Sequence, residues 1–126
     1  MPKTAITTGD APRPVAAYSQ AVRKGNIVQV AGQGPADPVT NEYVAGGIAE
    51  QTERVLTSLA AILAAAGASF DDVMMTRVYL ARQEDFAGMN EVYTRFVTEP
   101  FPARTTVYVG LPPRMLVEID VLAVLD

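Results

Sequence analysis

The stretch IAEQTERVLTSLAAILAAAGASFDDVMMTRVYL, residues 48–80, changes its periodicity once, and that change decides the fold class. From Ile48 to Ala66 the residues Ile48, Val55, Leu59, Ile62, Leu63 and Ala66 recur at helical spacing and define one apolar face. Gly67 is the residue type that ends a helix in the left-handed region. Ser69, Asp71 and Asp72 follow as a capped turn, and Val73 to Leu80 is then rich in β-branched and aromatic residues, which predicts a strand. The Ala-rich run Ala60–Ala66 is ordinary helix rather than low-complexity sequence.

Outward from this unit the alternation continues. A second helix is predicted from Glu84 to Val97, with Phe86, Met89, Val92, Tyr93, Phe96 and Val97 as its apolar face and Glu84 and Asp85 at its positive end. Pro100 and Pro102 end it. Residues 104–109 and 116–125 are predicted strands, joined through Gly110-Leu-Pro-Pro-Arg114 as a hairpin with a slightly long loop. On the N-terminal side, residues 1–14 read as an irregular arm with Pro2, Pro12 and Pro14. Val15–Ser19 reads as a short edge strand, Arg23–Asn26 as a turn, and Ile27–Ala31 as a strand. Residues 32–47 form a loop with a brief strand at Tyr43–Ala45. The order is strands, helix, strand, helix, strand, strand, without internal repeats.

The 126 residues suffice for one domain, 1–126, with its own core. The composition is 49% hydrophobic and 19% charged, which argues against disorder. A net charge of −4 and the lack of any basic run disfavour nucleic acid as the main partner. The apolar run Leu59–Ala66 is too short to span a bilayer, and residues 1–12 have no apolar signal-peptide core. The absence of cysteine fits a cytoplasmic protein.

Absent residue types narrow the chemistry. Without His or Cys there is no Ser-His-Asp or Cys-His catalysis, no thiol redox chemistry, and no His or Cys metal site. No D-x-D-x-D-G loop is present for a carboxylate site. Lys3 and Lys24, the two lysines, fall in a tail and a turn, which disfavours a buried Schiff-base lysine. Gly32 and Gly34 lack the later glycine and the following helix of a dinucleotide loop. Neither cofactor nor metal is expected, so any catalysis must use Arg, Asp, Glu, Tyr, Asn, backbone groups and water.

Strand alternation puts Arg104, Thr106 and Tyr108 on one face, and Glu118 and Asp120 on one face of the next strand. Val107 and Val109, and Val117, Ile119, Val121 and Ala123, are then expected to form the core faces, with the polar faces outward. Arg104 is the side chain best suited to grip a carboxylate through paired charge-assisted bonds. It could equally form a structural salt bridge to Glu118 or Asp120 across the hairpin, and on spacing alone that reading is the commoner one. Glu118, in an apolar strand, could order a water as general base or serve as an ion-pair partner. Tyr18 and Asn90 could bind a ligand, or be a rim tyrosine and a surface asparagine. Met74 and Met75 read as core filling, Arg77 as a solvated or interface side chain, and Arg13, Arg23 and Lys24 as a solvated edge.

The stretches YSQAV (18–22), GNIVQVAGQGP (25–35), QTERVL (51–56), AAGASFDDV (65–73), NEVY (90–93), FPAR (101–104) and LPPRMLVEIDVLA (111–123), in this order and spacing, resemble the RidA/YjgF family of enamine and imine deaminases. The resemblance runs from near Tyr18 to the end. It implies a chorismate-mutase-like α+β domain, a mostly antiparallel sheet of about six strands with two helices on one face. It further implies a homotrimer with ligand clefts between subunits. Arg104 matches the arginine that holds the substrate carboxylate, and Glu118 the glutamate associated with the hydrolytic water. Tyr18 matches the cleft aromatic and Asn90 an asparagine near the site. The sequence departs from the family at Ala31, where a serine is common, and at Thr106, where a cysteine is frequent. The VTEP segment before Arg104 also looks shorter than usual. The implied activity is hydrolysis of 2-aminoacrylate and 2-imino acids to 2-keto acids and ammonia, without cofactor. Alternatives are a specialised pathway deaminase of the aminomuconate type and a non-catalytic module that binds small carboxylates. An endoribonuclease or translation inhibitor is less favoured, given the acidic pI of about 4.7 and the missing His.

Overall fold

The computed structural model of the chain describes residues 2–126; Met1, the first residue of the arm expected over 1–14, lies outside them. The described residues form six strands and two α-helices: β1 (Thr4–Ile6), β2 (Ala21–Lys24), β3 (Ile27–Gln33), α1 (Ile48–Ala65), β4 (Val73–Leu80), α2 (Phe86–Tyr93), β5 (Ala103–Tyr108) and β6 (Val117–Val124). The strands make one mixed sheet in the order β1-β2-β3-β6-β4-β5. All neighbours are antiparallel except β4 and β5, which run parallel because α2 carries the chain between them. The α+β class and the two-helix, six-strand content agree with expectation.

Helix α1 follows its predicted apolar face closely. Val55, Leu56, Leu59, Ile62 and Leu63 are fully buried, and α1 packs on β3, β6 and α2. Its start depends on two glycines: Glu50 accepts a hydrogen bond from the Gly47 amide at 2.7 Å, and a Cβ on Gly46 (φ +111) would lie 2.5 Å from Glu50 Oε1. Gly67, at φ +78, follows the helix as expected. Gln51, buried on α1, clamps the loop that leads into β6: its Nε2 donates to the Arg114 carbonyl and its Oε1 accepts from the Leu116 amide, both at 2.8 Å.

Several expectations are corrected. The strand expected at Val15–Ser19 is a series of bends, and the strand is Ala21–Lys24; the turn tightens to Gly25-Asn26. Buried Gln20 explains the shift, since its Nε2 donates to the carbonyls of Thr8, Ala11 and Pro12 and its Oε1 accepts from the Thr8 amide, tying the prolines outside the sheet. The arm over 1–14 is not wholly irregular, because Thr4–Ile6 adds an edge strand to β2. Tyr43–Ala45 contributes a single bridge, Tyr43 to Ala36. The helix expected over Glu84–Val97 is regular only from Phe86 to Tyr93. Beyond it Arg95 and Phe96 bond three residues back in a turn, with Phe96 edge-on to Phe70 at 6.0 Å, and Val97 is buried just past that turn.

The largest correction concerns β5 and β6, which are not a hairpin. The apolar β6 inserts between β3 and β4, while β5 stays at the edge beside β4. A strand with Val117, Ile119, Val121 and Ala123 on one face gains most burial at the centre, under α1, and all four are fully buried. The faces of β5 are consequently inverted from expectation. Arg104 and Thr106 align with the buried Thr76 and Val78 on the helix side, whereas Val107 and Val109 are 38% exposed. Met74 is 60% exposed rather than core filling.

Candidate active site

Arg104 is the second residue of β5, directly after Pro102-Ala103 and opposite Thr76 of β4, and its side chain packs against α2. Asn90 Oδ1 accepts a hydrogen bond from Arg104 Nη1 at 2.8 Å. The guanidinium carbon lies 4.8 Å from the centre of the Tyr93 ring and 5.6 Å from that of Phe86. Phe86, Asn90 and Tyr93 are spaced i, i+4, i+7 on α2 and so present one stripe to the arginine. Among the described residues no carboxylate lies within ion-pair distance of Arg104. The salt bridge to Glu118 or Asp120 left open by strand spacing is absent, since those strands are not neighbours. Beside Arg104 opens a hollow of about 400 Å³, lined by Asn90, Tyr93, Thr94, Val97, Phe101 and Pro102. Its walls carry no charge other than the guanidinium.

Glu118 lies on the opposite face of the sheet. Thr76 pairs with Arg104 on one side and Val121 on the other, so these three share a face; Glu118, opposite Tyr79, points the other way. Its carboxylate packs against Gly32, where a Cβ would come within 2.5 Å of Glu118 Oε2. Gly32 sits in a one-residue bulge, because the pairing of β3 with β6 shifts between Val30 and Gln33, and Ala31 lies in the same bulge. The neighbouring cation is already engaged. Arg77 Nε donates to Asp120 Oδ1 at 2.6 Å, Tyr79 donates its hydroxyl proton to Asp120 Oδ2 at 2.9 Å, and Arg77 Nη2 reaches Gln29 Oε1 at 3.2 Å. Burial first, and the negative charge of Asp120 second, raise the Glu118 carboxyl above the usual glutamate value. Gly32 also lines a second hollow, of about 260 Å³, with Tyr18, Arg13, Gln33, Gly34, Tyr43 and Met115. Tyr18 stands at its rim, 48% exposed.

A family model described as Endoribonuclease L-PSP matches residues 8–125. The chain belongs to the RidA/YjgF family. RutC family protein PYRAB12510 of Pyrococcus abyssi is 49% identical over 98% of both chains. The 2-iminobutanoate/2-iminopropanoate deaminase of Dermatophagoides farinae is 39% identical over 99% of this chain and 98% of its own. The crystal structure of RidA from the Antarctic bacterium Psychrobacter sp. PAMC 21119 superposes with a TM-score of 0.92 at 41% identity, covering 97% of this chain and 99% of that one.

Of the six residues that the RidA resemblance singles out, the fold joins Arg104 and Asn90 directly. Thr106 stands two residues along on the Arg104 face, half-buried. Tyr18, Ala31 and Glu118 gather around the β3 bulge, away from Arg104. Within one chain these residues therefore form two separate groups on opposite faces of the sheet. In the sequence Tyr93 and Phe86 read only as part of the apolar face of a helix; their spacing with Asn90 is the signal that joins them to the site. Gly32 as the seat of Glu118 had no signal in the sequence, since the contact depends on a bulge.

Proposed function

We propose that this RidA-family protein is an enamine and imine deaminase. It hydrolyses 2-aminoacrylate and 2-imino acids to 2-keto acids and ammonia, in a homotrimer whose clefts lie between subunits. The observation that carries this reading is Arg104: a half-buried guanidinium held by neutral groups, free of any carboxylate, beside an uncharged hollow. Such a group has its paired donors available for a ligand carboxylate. The deaminase of D. farinae, at 39% identity over nearly the whole chain, supports the reaction class.

In this reading Arg104 holds the substrate carboxylate and Asn90 fixes the guanidinium from behind, with Thr106 beside it on β5. Tyr18 and the Ala31–Gly32 bulge form the facing wall, supplied by a neighbouring subunit, because Arg104 and Glu118 lie on opposite faces of one sheet. Exposed Ile27 and Val107 on the Glu118 side of the sheet fit coverage by another copy. Protonation of an enamine at carbon gives the N-protonated imine, the form in which a 2-imino acid also reacts. Water then adds to the imine carbon as the Glu118 carboxylate takes one proton from it, leaving a neutral carbinolamine. Glu118 passes that proton to the nitrogen, which leaves as ammonia while the carbinolamine hydroxyl gives its proton back to Glu118 and becomes the keto oxygen. A carboxyl with raised proton affinity suits both transfers.

The test uses imines made in situ from several amino acids by an amino-acid oxidase, with semicarbazide trapping whatever remains. Wild type should deplete the trapped imine, and Arg104→Ala should lower kcat/KM by about 10- to 100-fold without unfolding the protein. Undiminished activity in Arg104→Ala removes the anchor role. Saturable carboxylate binding without turnover would instead favour a binding module.

A further inference from the structure

Arg104 is held by three neutral side chains, and one of them is anchored in the core. Tyr93 is 5% exposed, and its hydroxyl donates to Thr76 Oγ1 at 3.0 Å; Thr76 is fully buried. Thr76 is also the partner of Arg104 in the β4–β5 register. The strand that pairs with the arginine backbone therefore also fixes the ring beneath its guanidinium. Asn90, one helical turn before Tyr93, holds Nη1. Helix α2, β4 and β5 thus meet at one cation.

We infer that Tyr93 is the positioning residue of the carboxylate anchor: its ring, pinned by Thr76, fixes the guanidinium in the orientation that receives a ligand carboxylate. A carboxylate partner would hold Arg104 as firmly but would neutralise it and occupy its donors. An aromatic face attracts the cation through its quadrupole and leaves the N–H groups free. Arginine otherwise loses substantial rotamer entropy when it engages a ligand, and a pre-set guanidinium loses less. The inference rests on the reading of Arg104 as anchor and extends it to a residue that acts through the guanidinium.

The test compares Y93F/T76V with Y93L/T76V, so that the buried hydroxyl pair is absent from both and only the ring differs. Three readouts are taken against wild type: KM and kcat for the imine of 2-aminobutanoate, calorimetric affinity for 2-oxobutanoate, and Tm. Y93L/T76V should raise KM and the 2-oxobutanoate Kd about tenfold with kcat held within about threefold, and Y93F/T76V should return both to within about threefold of wild type. Equal KM and Kd in the two variants, whether both changed or both unchanged, would overturn the inference, because the ring would then make no difference. If Y93L/T76V does not fold, Y93M/T76V replaces it with the same two outcomes. A wild type that binds 2-oxobutanoate in a ring-dependent way but hydrolyses no imine would sink the deaminase reading and leave the positioning role standing. Hydrolysis with ring-independent binding would do the reverse.

Discussion

Glu118 is a carboxyl in an unfavourable place, and its stability signature follows from that. Burial and Asp120 raise its proton affinity in the folded protein, and Arg77 is committed to Asp120. A raised folded-state value means that the folded chain binds the proton more tightly than the unfolded one. The contribution of Glu118 to stability is thus fully present below the ordinary glutamate value and lost as pH rises through the raised one. Glu118→Gln should therefore raise Tm relative to wild type at about pH 7 to 8, and the gap should close toward about pH 4. Thermal melts across this range check it. A gap that is constant with pH would mean that packing, not ionisation, separates the two proteins. Arg104→Ala gives the complementary residue-scale outcome, a loss of turnover with little loss of fold, since no ion pair is broken. The pairing of Arg104 with Asn90 could not be read from either residue alone, because they are brought together by a parallel β4–β5 register that strand spacing does not encode.

At the scale of elements, the loop from Gly110 to Leu116 has to carry the chain across the end of β4, from the edge strand to the centre of the sheet. Its far end is held by one side chain, Gln51, through two hydrogen bonds at 2.8 Å. Gln51→Ala should leave the Arg114 carbonyl and the Leu116 amide without these partners and lower stability by about 2 to 4 kcal/mol. Gln51→Glu keeps an acceptor for Leu116 but sets a buried carboxylate against the Arg114 carbonyl, so at neutral pH it should not recover that loss. Chemical denaturation of the two variants measures both. QTERVL could be quoted as a family stretch, yet the sequence offers no sign that its first residue reaches a loop more than sixty positions away. The end of α2 was equally illegible. Phe96 and Val97 keep helical spacing with Tyr93, but Phe96 meets Phe70 from a turn and Val97 is buried beyond it, and apolar spacing cannot tell this from a longer helix.

For the whole molecule, the proposed sharing of a cleft between subunits yields a prediction about assembly. If Arg104 of one subunit serves the Glu118 of another, subunits carrying Arg104→Ala and subunits carrying Glu118→Gln are each inactive but complementary. Unfolding, mixing and refolding the two in equal amounts should rebuild wild-type clefts at random and restore about a quarter of the wild-type rate. Sedimentation of the mixture should show a single oligomer. No recovery, with oligomers intact, would overturn the sharing and mean that each cleft needs both residues from one subunit.

The sequence alone determined the alternation of helix and strand, the buried faces of α1 and β6, the absence of thiol and imidazole chemistry, and the family. These are encoded locally, in apolar periodicity, in residue types present or missing, and in motifs read in order along the chain. Only the tertiary structure decided that β6 lies between β3 and β4, that Arg104 turns to the helices while Val107 turns away, and that Arg104 and Glu118 stand on opposite faces. Those outcomes follow from competition for the centre of one sheet. The most apolar strand gains most by being covered, and its placement sets the neighbours, and so the faces, of every strand around it.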